Sequence, residues 1–101
     1  MAIFTSLPVY KSAYDLLVEI HHRVALFSRE HKFTLGERIK DETLSLIVNI
    51  YKANKSKVVN RLNYIEQARE NIELIRLFVR LCKDLKIIGL KILVLLNQKI
   101  E

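Results

Sequence analysis

The chain has 101 residues, of which 50% are apolar and 28% are charged, with only two glycines and one proline. This length fits one globular domain, residues 1–101, and the apolar content is too high for an intrinsically disordered chain. One cysteine excludes an internal disulfide framework and a cysteine-based zinc site, and a single thiol fits a reducing cytoplasm. So few turn-forming residues favour a small number of long elements.

Two segments bear on targeting. Residues 1–5 lack the basic and apolar regions of a signal peptide. The longest apolar run, residues 87–96, is about half as long as a bilayer span, and Gly89 and Lys91 interrupt it. We therefore expect a cytoplasmic protein with no membrane partner, and we predict that the run is a helix of a bundle.

The net charge of +6 is unevenly divided along the chain. Residues 1–50 contain six basic and six acidic residues, whereas residues 51–101 contain eleven basic and five acidic ones. Such asymmetry suggests a polyanionic partner, with solubility alone as the alternative explanation.

Apolar residues recur at every third or fourth position in four segments, which is the spacing of one face of a helix. These segments are residues 8–28, 35–53, 57–85 and 90–101. The connections between them are short, which predicts antiparallel neighbours. The predicted fold class is therefore all-α, an up-down-up-down antiparallel four-helix bundle.

Local signals support these helix boundaries. Pro8 stands at an early helical position, where its missing N–H costs no hydrogen bond. Thr34 and Glu37 have the spacing of a capping box, in which the Thr34 hydroxyl accepts a hydrogen bond from the Glu37 amide. Asn54 is predicted to end the second helix, and Ser56 to cap the start of the third.

The third predicted helix is apolar over more than half of its circumference in its second half. The apolar residues there are Ile72, Leu74, Ile75, Leu77, Phe78, Val79, Leu81 and Cys82. A helix of a four-helix bundle needs only about three apolar positions in seven. We expect the surplus to be buried against another subunit, so the protein is predicted to be a homo-oligomer.

Catalysis and metal binding are not indicated. Glu19 and His22 have the Glu-x-x-His spacing of di-iron bundle sites, but His31 has Ser28 at the matching position, so no second copy exists. Cys82 falls within the apolar arc, where a thiol usually serves as a small hydrophobic group. Glycine-rich phosphate loops are absent from the sequence. We predict a protein that is not an enzyme and has neither metal nor cofactor.

Two groups of basic residues are candidates for nucleic-acid contacts. The first, called the turn cluster below, surrounds the turn between the second and third predicted helices. It consists of Lys52, Lys55, Lys57 and Arg61. No acidic residue lies between Glu42 and Glu66, so this group suits contact with phosphates, which is independent of base sequence.

The second group, called the basic stripe below, lies along the third predicted helix. It consists of Arg69, Arg76, Arg80 and Lys83, which fall within about 60° of one another around the helix axis. A solvated face with local ion pairs, such as Arg69–Glu73 and Glu73–Arg76, explains the stripe equally well, so the turn cluster is the better candidate. We find no aromatic residue interleaved with the basic positions, which argues against stacking of unpaired bases.

Four short stretches resemble a known family. They are LPVY at residues 7–10, YDL at residues 14–16, KFTLGERI at residues 32–39 and LCKDLK at residues 81–86. In these the chain resembles the accessory variability determinants (Avd-like proteins) of diversity-generating retroelements, which group with the proteins encoded by intervening sequences of 23S ribosomal RNA genes. The resemblance extends over almost the whole chain. The intervening-sequence branch typically carries Asn-Ile-Ala-Glu-Gly in its second helix, whereas residues 47–53 keep only Asn-Ile, which favours the retroelement branch.

The resemblance implies a pentamer of four-helix bundles with a basic surface. Such a protein would bind a reverse transcriptase and its template RNA, and would support mutagenic synthesis of complementary DNA. RNA and DNA backbones are both open as partners. Two other functions also stay open: a four-helix bundle protein encoded by a ribosomal RNA intervening sequence, and a structural module whose positive surface contacts an acidic protein.

Overall fold

The computed structural model describes residues 8–100, and within that range the chain forms helices and no strand. The helices are α1 (Pro8–Ala25), α2 (Arg29–Lys32), α3 (Leu35–Lys55), α4 (Val58–Asp84) and α5 (Leu90–Ile100). Because α2 is a single turn, the long helices are the four that the sequence predicts, and the all-α class is confirmed. The expectations for residues 1–5 and for a last helix reaching residue 101 extend outside the described residues.

The first predicted helix is too long at its end. α1 stops at Ala25, and the N–H groups of Leu26 and Phe27 close a tighter last turn on the carbonyls of Arg23 and Val24. Ser28 has extended backbone and is the N-cap of α2, so the short connection between the first two predicted helices contains one helical turn.

The junction between α3 and α4 also differs from the prediction. Asn54 lies inside α3, and Ser56 caps the end of α3 instead of the start of α4. The Ser56 N–H and hydroxyl both donate to the Lys52 carbonyl, at 2.9 and 2.6 Å. Lys57 takes the N-cap position of α4, which is one residue shorter than predicted at each end.

The predicted capping box at Thr34 is wrong. The Thr34 hydroxyl donates to the carbonyl of Glu30 at 2.9 Å, and no side-chain cap forms at the start of α3. The carboxylate of Glu37 lies 2.8 Å from the ammonium of Lys40 instead. The cause is α2, whose last carbonyls lie directly before α3 and compete for the hydroxyl.

The core lies where the four long helices meet. α3 packs against α1 and α4, and α5 packs against the same two helices. The largest fully buried side chains are Leu16, Ile20, Thr43, Ile75, Val79 and Cys82. The buried Thr43 hydroxyl donates to the Ile39 carbonyl at 2.8 Å, which satisfies its hydrogen-bonding requirement.

Helices α4 and α5 differ greatly in length. α4 has 27 residues and extends for about 40 Å, whereas α5 has 11 residues and extends for about 16 Å. α5 therefore covers only the second half of α4. No residue between Val58 and Glu70 is buried, although Leu62 and Ile65 continue the apolar stripe of α4.

Gly36 allows the closest approach between α1 and the start of α3. A Cβ atom at this position would lie 2.7 Å from Cγ1 of Val24 and 3.2 Å from the His31 carbonyl oxygen. Val24 is buried and β-branched, so its methyl group has little freedom to move. Gly89, by contrast, has open space around it.

We expect Gly36→Ala to destabilise the fold. Overpacking against Val24 costs about 1–3 kcal/mol, whereas replacing a helical glycine by alanine gains up to about 1 kcal/mol in helix propensity. The net loss of stability should lower the midpoint of thermal unfolding by roughly 5 °C. Gly89→Ala is the control and should lower the midpoint less than Gly36→Ala does, since the added methyl group meets no neighbour and only the N-cap preference of α5 is affected. Thermal melts followed by circular dichroism measure both. A higher midpoint for Gly36→Ala would show that α1 and α3 are less closely packed.

Candidate nucleic-acid interface

The turn cluster gathers at one end of the α3–α4 pair. α3 ends at Lys55 and α4 begins at Val58, so only two residues separate the helices. The side chains of the cluster, Lys52, Lys55, Lys57 and Arg61, are all exposed. Within residues 8–100, none of the salt bridges involves these four cations. Their positive charge is therefore open to an external anion.

Arg61 has a structural role besides its charge. Its Nε donates to the Ala53 carbonyl at 3.2 Å, and one terminal nitrogen donates to the Ser56 carbonyl at 3.3 Å. Both carbonyls lie at the end of α3, where backbone acceptors have no partner within the helix. Arg61 thus holds the start of α4 to the end of α3. A guanidinium has five N–H donors, so it can also reach a phosphate from this position.

Two tyrosines accompany the lysines of the turn cluster, contrary to the expectation that no aromatic residue is interleaved with them. The ammonium of Lys55 lies 5.1 Å from the ring centre of Tyr51, and that of Lys52 lies 5.8 Å from the ring centre of Tyr64. A hydrogen bond from Lys55 to the Tyr51 hydroxyl raises the pKa of the lysine.

The sequence contained a signal for Tyr51 but none for the contact of Lys52 with Tyr64. Tyr51 and Lys55 are four residues apart on one helix, which places them on the same face. Tyr64 is harder to find, because Lys52 meets it across the turn between two helices. Neither tyrosine was predicted to lie beside the turn cluster.

A chain of polar side chains joins α3 to α4 beside this end. Asn49 donates to the side-chain oxygen of Asn71 at 2.7 Å, and Asn71 donates to the carboxylate of Glu42 at 2.7 Å. The three residues lie along an open furrow of about 540 Å³, with Lys52 towards the turn. The furrow is also lined by Glu70. Because the carboxylates of Glu42 and Glu70 repel phosphates, favourable phosphate contacts are expected at the turn and not along the furrow.

The basic stripe is partly neutralised along α4. Arg69 lies 3.7 Å from Glu66, and both Arg80 and Lys83 pair with Asp84, at 3.2 and 3.9 Å. Arg76 and Arg80 line a furrow against α5. Among the described salt bridges, the turn cluster thus has the more available charge.

Exposed apolar side chains cover an outer face of α4. Leu77 is 59% exposed and Leu81 is 41% exposed, one helical turn apart. Leu85 continues this face, and Leu44 and Val48 of α3 are exposed as well. Contiguous apolar surface of this kind is typical of protein–protein contact.

Groups suited to metal binding do not come together in the part of the chain that the structure describes. Residues 8–100 contain no cluster of three or more His, Cys, Asp or Glu side chains that could hold a metal ion. Glu19 pairs with Arg23 at 3.0 Å. Cys82 is buried in the core as predicted, and desolvation raises the pKa of its thiol to about 11, so the nucleophilic thiolate is scarce at neutral pH.

Comparisons of the chain with protein-family models, with curated proteins and with solved structures found no match. None of the described helices is both long and apolar enough to cross a membrane.

The role of Arg61 at the junction gives a stability prediction. Arg61→Lys keeps the charge but cannot donate to both carbonyls, so we expect a loss of about 1 kcal/mol in the free energy of unfolding. Chemical denaturation measures this loss. Lys57→Gln is the control, because Lys57 is exposed and should leave the free energy of unfolding within about 0.5 kcal/mol. Equal stability of Arg61→Lys and the unmodified protein would contradict a capping role for the guanidinium.

Proposed function

We propose that the protein is a non-catalytic, oligomeric accessory protein that binds the phosphate backbone of RNA or DNA through the turn cluster. The observation that carries this proposal is the convergence at the α3–α4 junction of four exposed cations that form no salt bridge with residues 8–100. Phosphate contacts need charge and N–H donors rather than a shaped pocket, and lysine and arginine supply both.

The proposed assembly is a homo-oligomer of up-down-up-down antiparallel bundles, with a pentamer as the state that the family resemblance implies. The two-residue connection between α3 and α4 favours antiparallel neighbours. The exposed leucines on the outer face of α4 provide surface for contact between subunits. Repetition of the turn cluster around such an assembly would strengthen weak binding at each site.

The partner that we propose beyond nucleic acid is the reverse transcriptase of a diversity-generating retroelement, in the cytoplasm. Support for this partner comes from the resemblance alone. A reverse transcriptase gene beside this one would favour it, whereas a location inside a ribosomal RNA gene would favour the intervening-sequence branch.

A structural module that contacts an acidic protein is the second candidate function. The same exposed cations suit a carboxylate-rich surface. The two functions differ in one expectation: only the nucleic-acid-binding protein should bind RNA or DNA at moderate salt.

Nucleic-acid binding is expected to depend steeply on salt. Four phosphate contacts release enough counterions to weaken duplex DNA binding by about 150-fold per subunit between 50 and 200 mM salt. In a triple variant with Lys52→Gln, Lys55→Gln and Lys57→Gln, the same rise in salt should weaken binding only about threefold, because one phosphate contact remains. Arg61 is left unchanged there because it holds the junction together. Fluorescence anisotropy measures the binding.

The matched control carries Lys11→Gln, Arg29→Gln and Lys32→Gln, which remove the same charge from the balanced half of the chain. This control should keep most of the salt dependence of the unmodified protein. Binding that is absent at 50 mM salt, or that does not change with salt, would favour the protein-interaction module instead.

Oligomerisation is expected to depend on the outer leucines. Leu77→Gln with Leu81→Gln removes apolar contact area and should shift the protein towards monomer in sedimentation equilibrium at micromolar concentration. Leu26→Gln is the control, since Leu26 is 78% exposed but lies at the end of α1. A monomer in the unmodified protein would contradict the proposed assembly.

A further inference from the structure

The tyrosines of the turn cluster indicate which form of nucleic acid the site prefers. We propose that Tyr51 and Tyr64 make the turn cluster a site for single-stranded nucleic acid, with unpaired bases stacked on the tyrosine rings and phosphates held by the neighbouring lysines. This inference rests on the proposed function and adds a substrate class to it.

The geometry provides two adjacent pairs of ring and cation. Tyr51 and Lys55 form one pair on α3, with 5.1 Å between the ammonium and the ring centre. Lys52, next to Tyr51 in sequence, forms the second pair with Tyr64 of α4 at 5.8 Å. Aromatic rings beside cations are the combination that single-strand binding proteins use, because rings stack on the bases and cations contact the phosphates.

A base can replace each ammonium on its ring. A lysine near an accessible aromatic face gains only about 0.5–1 kcal/mol from the ring, because water competes for the ammonium. Lys55 has in addition its hydrogen bond to the Tyr51 hydroxyl, which a phosphate oxygen can replace. Stacking of a base on the same face is stronger, and the flexible lysine side chain can then turn to the adjoining phosphate. In each pair the tyrosine ring then contacts a base, and the lysine ammonium contacts a phosphate.

The two rings differ in accessibility. Tyr51 is 41% exposed, so part of its side chain is accessible to a base. Tyr64 is half-buried between the helices and offers only part of its ring. We therefore expect Tyr51 to contribute more to binding than Tyr64.

A duplex cannot use this site in the same way. Its bases are already stacked on one another, so their faces do not reach a protein surface, and only its phosphates can contact the lysines. Loss of a ring should therefore weaken binding to a single strand and leave binding to a duplex unchanged.

The test measures binding of two labelled probes at 50 mM salt by fluorescence anisotropy: a 12-nucleotide RNA of mixed sequence that forms no hairpin, and a 12-base-pair DNA duplex. Tyr51→Leu should weaken RNA binding about tenfold and change duplex binding less than twofold. Tyr51→Phe keeps the ring and should keep the RNA affinity. Tyr14→Leu is the matched control, since Tyr14 is 49% exposed but lies in the charge-balanced half of the chain.

A second readout needs no variant. The chain has four tyrosines and no tryptophan, so its intrinsic emission comes from tyrosine. RNA should quench this emission at saturation, and Tyr51→Leu should lose part of the quenching.

The outcomes separate this inference from the proposed function. Binding of both probes with neither quenching nor an effect of Tyr51→Leu would overturn the stacking inference and leave phosphate binding in place. Failure of the unmodified protein to bind either probe would overturn the proposed function, and with it the inference.

Discussion

The hydrogen-bonded chain Asn49–Asn71–Glu42 sets the register between α3 and α4, and the candidate site depends on that register. Asn49 is buried, so a slip of one helix past the other would leave its amide without a partner at a cost of about 1–3 kcal/mol. The apolar arcs of both helices are broad and would tolerate such a slip more easily. Polar contacts therefore specify the position at which Lys52 of α3 meets Tyr64 of α4.

Unequal helix lengths explain why so much of this small protein is open to partners. α5 ends halfway along α4, so the α3–α4 junction extends beyond the fully packed part of the bundle. At that end the apolar side chains Val58, Val59 and Leu62 are exposed, and the hydrogen bonds of Arg61 and Ser56 satisfy carbonyls at the end of α3. In the second half of α4 the core side is filled by α5, and the surplus leucines face outward. The same helix thus contributes both to the turn cluster and to an exposed apolar face.

The periodicity of apolar residues was sufficient to predict the four long helices, because each buries one continuous stripe. Prediction failed at the helix ends, where backbone groups of the preceding and the following helix compete for the same side-chain hydroxyl. The Thr34 hydroxyl serves the end of α2 instead of the start of α3, and Ser56 closes α3 instead of opening α4. The basic residues of the turn were also recognisable from sequence, since they are close together along the chain. The contact of Lys52 with Tyr64 crosses between helices, so it depends on the α3–α4 register, which no local pattern reveals.

Photo-crosslinking tests most directly whether the α3–α4 junction is the nucleic-acid site. A single-stranded RNA with photoreactive uridines, bound to the unmodified protein at 50 mM salt, can be crosslinked and the attached peptides identified by mass spectrometry. We expect the crosslinks to concentrate in residues 51–64. Crosslinks concentrated in the second half of α4, or in α1 and α2, would contradict the assignment of the site to the turn cluster.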